Sequence, residues 1–240
     1  MHRKNIFAAA LIMLSSLAAT AQYNSILIPA ELKEDANMVV RLKEQDVQIK
    51  SKGNAVIRTH YVYTILNAGG DKYAEFISHY DKLRKVSDID GTLYDAMGLK
   101  IRSVKKGEVK DYSNTSEDNL ADNSRVKYHS FAHKVYPYTV EYEHTIEYDG
   151  IFNLPMWIPV FDEKVSVEKS VLKVTTPADY KLRYKAYNAA EPVISTIKNA
   201  TGYSWELSKY KAVKEEIYSP SWHQITPVVF LAPSAFELQR

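Results

Sequence analysis

Few residues in this chain could do chemistry, and their spacing narrows what that chemistry would be. His129 and His133 stand four apart in the run HSFAH. On a helix that spacing turns two imidazoles toward one zinc ion, but the glutamate of an HExxH motif is missing. Val126, Tyr128 and Ser130 alternate with Lys127, His129, Phe131 and His133, which is a strand pattern. On a strand the same offset sets the two rings about 13 Å apart, too far for one ion. Glu141, Glu143 and Glu147 form an acidic row that could hold a cation or act as paired carboxylates. Opposite lysine-bearing strands the row reads instead as a solvated face. Asp88-Ile89-Asp90-Gly91 opens like a calcium loop but lacks the later ligands and the terminal glutamate, so a turn at a strand edge is expected. His144 lies on the apolar side of its run and is expected as a hydrogen-bonded core histidine.

Nucleophilic catalysis has less support still. The chain contains no cysteine, and no G-x-S-x-G elbow presents a serine. Gly69-Gly70 is the single glycine pair, with neither a Walker nor a dinucleotide pattern around it. No catalytic residue, no cofactor and no metal ligand is expected. The remaining feature is aromatic. Phe152, Trp157 and Phe161, in IFNLPMWIPVF, together with Trp222, could form a platform for a glycan or peptide. The plainer reading of residues 151–161 is a connection folded over one end of the core, since Pro155 and Pro159 forbid a central strand and large apolar patches seldom stay exposed.

The elements that must position these residues are strands. From Tyr138 to Asp149, Tyr138, Val140, Tyr142, His144, Ile146 and Tyr148 alternate with Thr139, Glu141, Glu143, Thr145, Glu147 and Asp149. That is an antiparallel strand with one face packed and one face wet. Met38–Ile49 and Ala55–Leu66 flank the turn composition Ser51-Lys52-Gly53-Asn54 and form a long hairpin. Further strands are expected at Lys72–Tyr80, Val86–Tyr94, Leu99–Val104, Arg125–Val135, Lys164–Thr175, Tyr180–Tyr187, Pro192–Ile197 and Tyr203–Leu207. The 18 tyrosines suit a pleated surface. The fold class is all-β, a large antiparallel sandwich of ten or more strands.

The chain divides into four parts. Residues 1–21 carry His2, Arg3 and Lys4, then an apolar core and Ala19-Thr20-Ala21. This is the form of a secretory signal peptide cleaved after Ala21, too short to span a bilayer. Residues 22–35 are a lead-in in which Asn24 or Ser25 caps a turn and Pro29 opens one. Residues 36–215 form the sandwich, with a polar surface loop at 113–124. Residues 216–240, with Pro220, Pro227 and Pro233, read as an extended strap lying on a surface. At 45% hydrophobic and 25% charged the composition is globular, and the formal charge is +2. Losing Arg3 and Lys4 lowers Lys plus Arg from 31 to 29, equal to the 29 Asp plus Glu. A neutral mature chain has no electrostatic footprint for nucleic acid. No second long apolar run predicts a membrane span, and export without cysteine suits the periplasm or exterior of a Gram-negative type bacterium.

Three segments carry a family likeness: SDIDGTLYDAMGLKIRSV (87–104), YKLRYKAYN (180–188) and YSWELSKYKAVKEEIYSPSWHQITPVVFLAPSAF (203–236). They resemble domain of unknown function family 3857, over about residues 36–236. The resemblance implies a secreted bacterial β-sandwich that usually precedes a transglutaminase-like domain, with the strap leading into that domain just past Phe236. The family's Cys-His-Asp triad belongs to that second domain, so no catalytic residue carries over to this chain. The resemblance therefore implies a non-catalytic module that supports or presents a partner domain, in cis or in trans. The alternative is a stand-alone glycan- or peptide-binding module of the cell envelope.

Overall fold

The computed structural model describes residues 23–113, 124–214, 218 and 220–234. The expected signal peptide, most of the 113–124 loop and the end of the chain lie outside them. The fold is all-β. Eight strands form one large sheet: β1 (Met38–Ile49), β2 (Asn54–Ile65), β4 (Arg84–Tyr94), β5 (Lys100–Ser103), β8 (Tyr138–Asp149), β9 (Val165–Pro177), β11 (Val193–Ile197) and β12 (Ala200–Tyr210). Their order is β11-β12-β9-β1-β2-β8-β4-β5. Every neighbour pairs antiparallel except β1 and β9, which run parallel from Met38↔Val165 to Gln48↔Thr175.

Alternation along β2 and β8 sends Ala55, Ile57, Tyr61, Tyr63 and Ile65 to one face with Tyr138, Val140 and Tyr142. Burying that front face is what holds the sheet, and two smaller layers cover it. At one end lies a three-stranded sheet of β3 (Phe76–Tyr80), β7 (Arg125–His129) and β6 (Lys110–Ser113). Phe76 and Phe131 bring their rings to 5.5 and 5.6 Å from that of Tyr142. At the other end β10 (Arg183–Tyr187) pairs with β13 (Val228–Ala232), and Leu182, Val229 and Leu231 pack with Ile57, Leu172 and Trp205. Ile151, Leu154 and Trp157 complete this second core, so the 151–161 segment does seal one end of the front face.

Several elements differ from the sequence reading, each for a physical reason. Lys72–Tyr80 is strand only from Phe76, because Asn67 accepts the Gly69 N–H and starts a 3-10 turn over Ala68–Ala74. Arg125–Val135 is strand only to His129, and Ala132 beyond it adopts a positive φ of 52°. Asp88-Ile89-Asp90-Gly91 lies within β4 as a bulge, where the register shifts between Ser87 and Asp90, and is not a turn. The back of β8 is not uniformly wet. Thr139 is fully buried and its hydroxyl bonds that of Thr64 at 2.9 Å. Ile28 and Leu32, from the lead-in, pack on Val39 nearby, and Ser166 donates to the Leu32 carbonyl. Asn24 does cap a 3-10 turn (Ser25–Leu27), whereas Pro29 sits at the N-cap before Ala30–Lys33.

The strap is the largest difference. Its prolines flank a strand: Pro227 stands just before β13 and Pro233 just after it, so neither removes a ladder hydrogen bond. Val228 and Val229 are buried, and Val229 exchanges backbone bonds of 3.0 and 2.9 Å with Trp157. The segment is a part of the domain over these residues, and Trp222–Ile225 before it forms a helical turn. Among the described residues no helix is long and apolar enough to cross a membrane.

Candidate binding groove

His129, His133 and Glu141, the catalytic candidates of the sequence, are taken up by contacts within the fold. His129 is buried, its Nδ1 lies 2.7 Å from the Tyr142 hydroxyl, and its Nε2 stands 3.7 Å from Glu108. Burial holds its pKa below the ordinary imidazole value. His133 lies against the Tyr138 ring, 5.0 Å between centroids, so the two histidines serve separate contacts. Glu141 is not a solvated member of an acidic row. Its carboxylate accepts from Tyr23 at 2.9 Å and Tyr94 at 2.6 Å, and meets His60 Nε2 at 2.8 Å. Desolvation opposes ionisation of Glu141, but those three partners outweigh it and lower its pKa, while Glu141 raises that of His60. Glu143 and Glu147 are exposed. Among the described residues no group of three or more histidine and acidic side chains could hold a metal ion.

The four aromatic residues do not form one platform. Trp157 is 1% exposed, with its indole N–H on Ser170 at 3.1 Å. Trp222 is half-buried and donates to the Val160 carbonyl at 2.6 Å. Phe161 packs between Tyr63 and Tyr73. Phe152 alone is open, at 42% exposure.

A different site lies between the two covering layers, where the front face of the large sheet is left uncovered. Three adjoining cavities, of about 280, 300 and 650 Å³, share walls and form one groove. The first two share Lys43, Thr59 and Ile77. The second and third share Arg84, Tyr148, Pro155 and Met156. From the level of Tyr61, which pairs with Lys43, to that of Tyr148, which pairs with Ala55, the groove runs six residues along the sheet, a length of about 20 Å.

The polar end is set by a bulge. Strict alternation from Met38 and Val40 would turn Lys43 to the back. The β1–β2 register instead shifts between Val40 and Leu42, so that Lys43 pairs with Tyr61 on the front face. A bulge of this kind re-aims every side chain after it. Arg41, the extra residue, joins Glu168 through a bond of 2.5 Å. Lys43 Nζ lies 4.9 Å from the centre of the Phe161 ring, and burial alone lowers its pKa to about 8. No carboxylate pairs with it within 4 Å among the described residues. The neighbouring cation Arg84 is held by Asp81 at 2.5 Å.

His144 lines the middle cavity with Gln45, Thr59 and Ser78. It is 8% exposed, lies edge-on to Phe76 at 5.2 Å, and its Nδ1 has no hydrogen-bond partner. The expected hydrogen-bonded histidine is thus unsatisfied at that nitrogen. Desolvation lowers its pKa to about 4; Lys43, His79, Arg84 and Tyr148 line the same cavity. An imidazole whose folded pKa lies below its unfolded value of about 6.5 contributes stability above that value and loses it as pH falls toward 4. The shift corresponds to roughly 3 kcal/mol by pH 4. His144→Phe should therefore reduce the loss of unfolding free energy between pH 7 and pH 4, read in urea titrations at both. An unchanged loss would mean that His144 titrates alike in the folded and unfolded chain.

The family model for the Domain of Unknown Function with solved-structure structure (DUF3857) matches residues 51–214. No curated protein matches the sequence. Among solved structures, a "putative protease" from Parabacteroides distasonis is similar at a TM-score of 0.69 and 11% identity, covering 82% of this chain and 40% of that one. An M1 zinc metallopeptidase from Deinococcus radiodurans aligns at a TM-score of 0.37 and 7% identity, covering 82% and 43%. A "putative nutrient binding protein" from Legionella pneumophila aligns at 0.35 and 8%, covering 82% and 68%. The first likeness is one of fold, and this chain spans about two fifths of that protein's length. The all-β architecture and the match over more than half of the sequence place the chain in the DUF3857 family.

Proposed function

We propose that this chain is an exported, non-catalytic β module that supports or presents a partner domain of the transglutaminase-like class, in cis or in trans. The observation that carries this reading is how the fold employs His129 and Glu141. His129 is engaged by Tyr142, and Glu141 by two tyrosines and His60. A general acid or base must instead face a substrate. The recurrence of the fold as a portion of a longer chain supports an accessory role. Export rests on residues 1–21, whose basic start, apolar core and Ala19-Thr20-Ala21 fit signal-peptidase processing.

Two measurements test the proposal. Expressed in a Gram-negative host, the chain should be recovered outside the cytoplasm with Gln22 as its first residue. Recovery of an uncleaved cytoplasmic chain would remove the export reading. The purified protein should give no peptide hydrolysis or acyl transfer by itself, and should bind a transglutaminase-like domain encoded in the same genome in a calorimetric titration. Turnover by the chain alone, lost on His129→Ala or Glu141→Gln, would make it an enzyme.

A further inference from the structure

We propose that the groove between the two covering layers binds an extended peptide, with a carboxylate side chain at Lys43 and an apolar side chain at the Met156–Phe152 end. This inference is independent of the partner-domain reading. Three observations meet in the groove. The first is charge. Lys43 is brought to the front face by the β1 bulge and set over Phe161, and no carboxylate of the described residues pairs with it. The partly buried Lys43 shares its cavity with Tyr61, Tyr63, Tyr73, Phe161 and Glu75, whose carboxylate accepts from the Tyr128 hydroxyl at 2.9 Å, so an incoming carboxylate gains more there than at an open surface.

The second is the polar middle cavity, where Gln45 and Thr59 are partly exposed and Ser78 and the imidazole of His144 are buried beside them. This polar middle selects among ligands that carry a carboxylate. A hydrocarbon tail laid across it would displace water from the partly exposed Gln45 and Thr59 and return nothing. A peptide backbone brings an N–H or C=O to each residue step, and so can satisfy them. The third is the far end. Met156 is 49% exposed, Leu83 46% and Phe152 42%, and all three line the widest cavity with Pro155 and Phe230. Exposed apolar side chains gathered at a concave surface favour an apolar anchor. The length of about 20 Å from Lys43 to this end corresponds to six residues of extended chain, so the two anchors belong at positions i and i+6.

Isothermal titration calorimetry of the full chain with N-acetylated, C-amidated heptapeptides tests the assignment. The peptides carry Glu at one end and Leu at the other, in both directions, with Ser, Thr and Gly between. One direction should bind, and replacing its Glu by Gln should weaken binding at least tenfold. Lys43→Met should abolish the preference for Glu over Gln, and Lys43→Arg should keep it. Thermal melts of both variants show that the fold persists. Leu→Ser in the peptide should weaken binding in the wild-type chain and in Lys43→Met alike. Equal affinity for the Glu and Gln peptides, a preference that survives Lys43→Met, or no binding at millimolar peptide overturns the proposal. Dodecanoate or oligogalacturonate binding in the groove while the peptides fail would also overturn it, assigning the site to an anionic lipid or an acidic glycan.

Discussion

Tyr142→Asp should unfold most of the protein at neutral pH, whereas Glu143→Lys one residue along should change its stability by no more than about 0.5 kcal/mol. Tyr142 is 0% exposed, with the rings of Tyr61, Phe76 and Phe131 each within 5.6 Å and its hydroxyl on His129 Nδ1. A carboxylate there is buried while Arg102, whose charge reaches the site, is already held by Glu108 at 3.0 Å; it also leaves a void where the ring was and strips His129 of its bond. Each of these costs on the order of 1–5 kcal/mol, against a total stability of about 5–15 kcal/mol for a domain. Gly91 tightens the constraint. A Cβ at that position would lie 2.7 Å from the Tyr142 ring, so β4 is fitted to the tyrosine and cannot follow a smaller side chain at no cost. Tyr142→Phe isolates the hydroxyl, and the bare His129 nitrogen should cost about 1–3 kcal/mol. Guanidinium titrations of the variants measure the series, and equal midpoints for Tyr142→Asp and Glu143→Lys would show the face assignment of β8 to be wrong.

Removing the chain after Thr226 should be comparably damaging, although the segment lost reads in the sequence as a linker. β13 contributes Val228, Val229 and Leu231, at 1%, 0% and 6% exposure. Their burial amounts to roughly 1.5–3 kcal/mol per side chain, and β10 loses the only strand with which it pairs among the described residues. The truncated chain should melt far below the intact one or fail to fold. Val229→Asp makes the same point without a truncation, and Val193→Asp serves as its control, because Val193 is 74% exposed on the edge strand β11. Circular dichroism melts that place all three proteins near the wild type would return residues 228–232 to the status of a surface strap.

These two cases mark how far the sequence could be read. Tyr138–Asp149 is legible from its unbroken alternation, and Met38–Ile49 because it ends at the turn composition Ser51-Lys52-Gly53-Asn54 before a second strand-like run. β13 was hidden by Pro227 and Pro233, which look like interruptions when counted but stand at the two ends of a five-residue strand. The family could be recognised from the order of its segments. The groove could not. Its charge depends on the extra residue between Val40 and Leu42, and no composition signal marks where a register will slip. Its walls come from Thr59, Ile77, Tyr148 and Met156, residues brought together only by the gap between the two covering layers. The four aromatics misled for the opposite reason. Large rings are as readily used to fill a core as to face a ligand, and Trp157 is used in that way.

The parallel pairing of β1 with β9 has a consequence for the order in which the molecule is made. Met38 meets Val165 across well over a hundred residues of intervening chain, whereas β2 is reached from β1 by the short turn at Lys50–Gly53. Loop closure over the longer span is entropically slower, and non-local pairing of this kind delays folding. A chain emerging from its N-terminus can close the β1–β2 hairpin early and add β8 and β4, but the other side of β1 stays an unpaired edge until β9 arrives. During that interval Val39, Val47 and Ile49 border an open ladder, the condition under which strands recruit neighbours from other chains. The charged side chains of Arg41, Lys43, Glu44 and Asp46 lie along that edge. Charges on a strand edge oppose such recruitment, so these residues guard the nascent chain until β9 pairs.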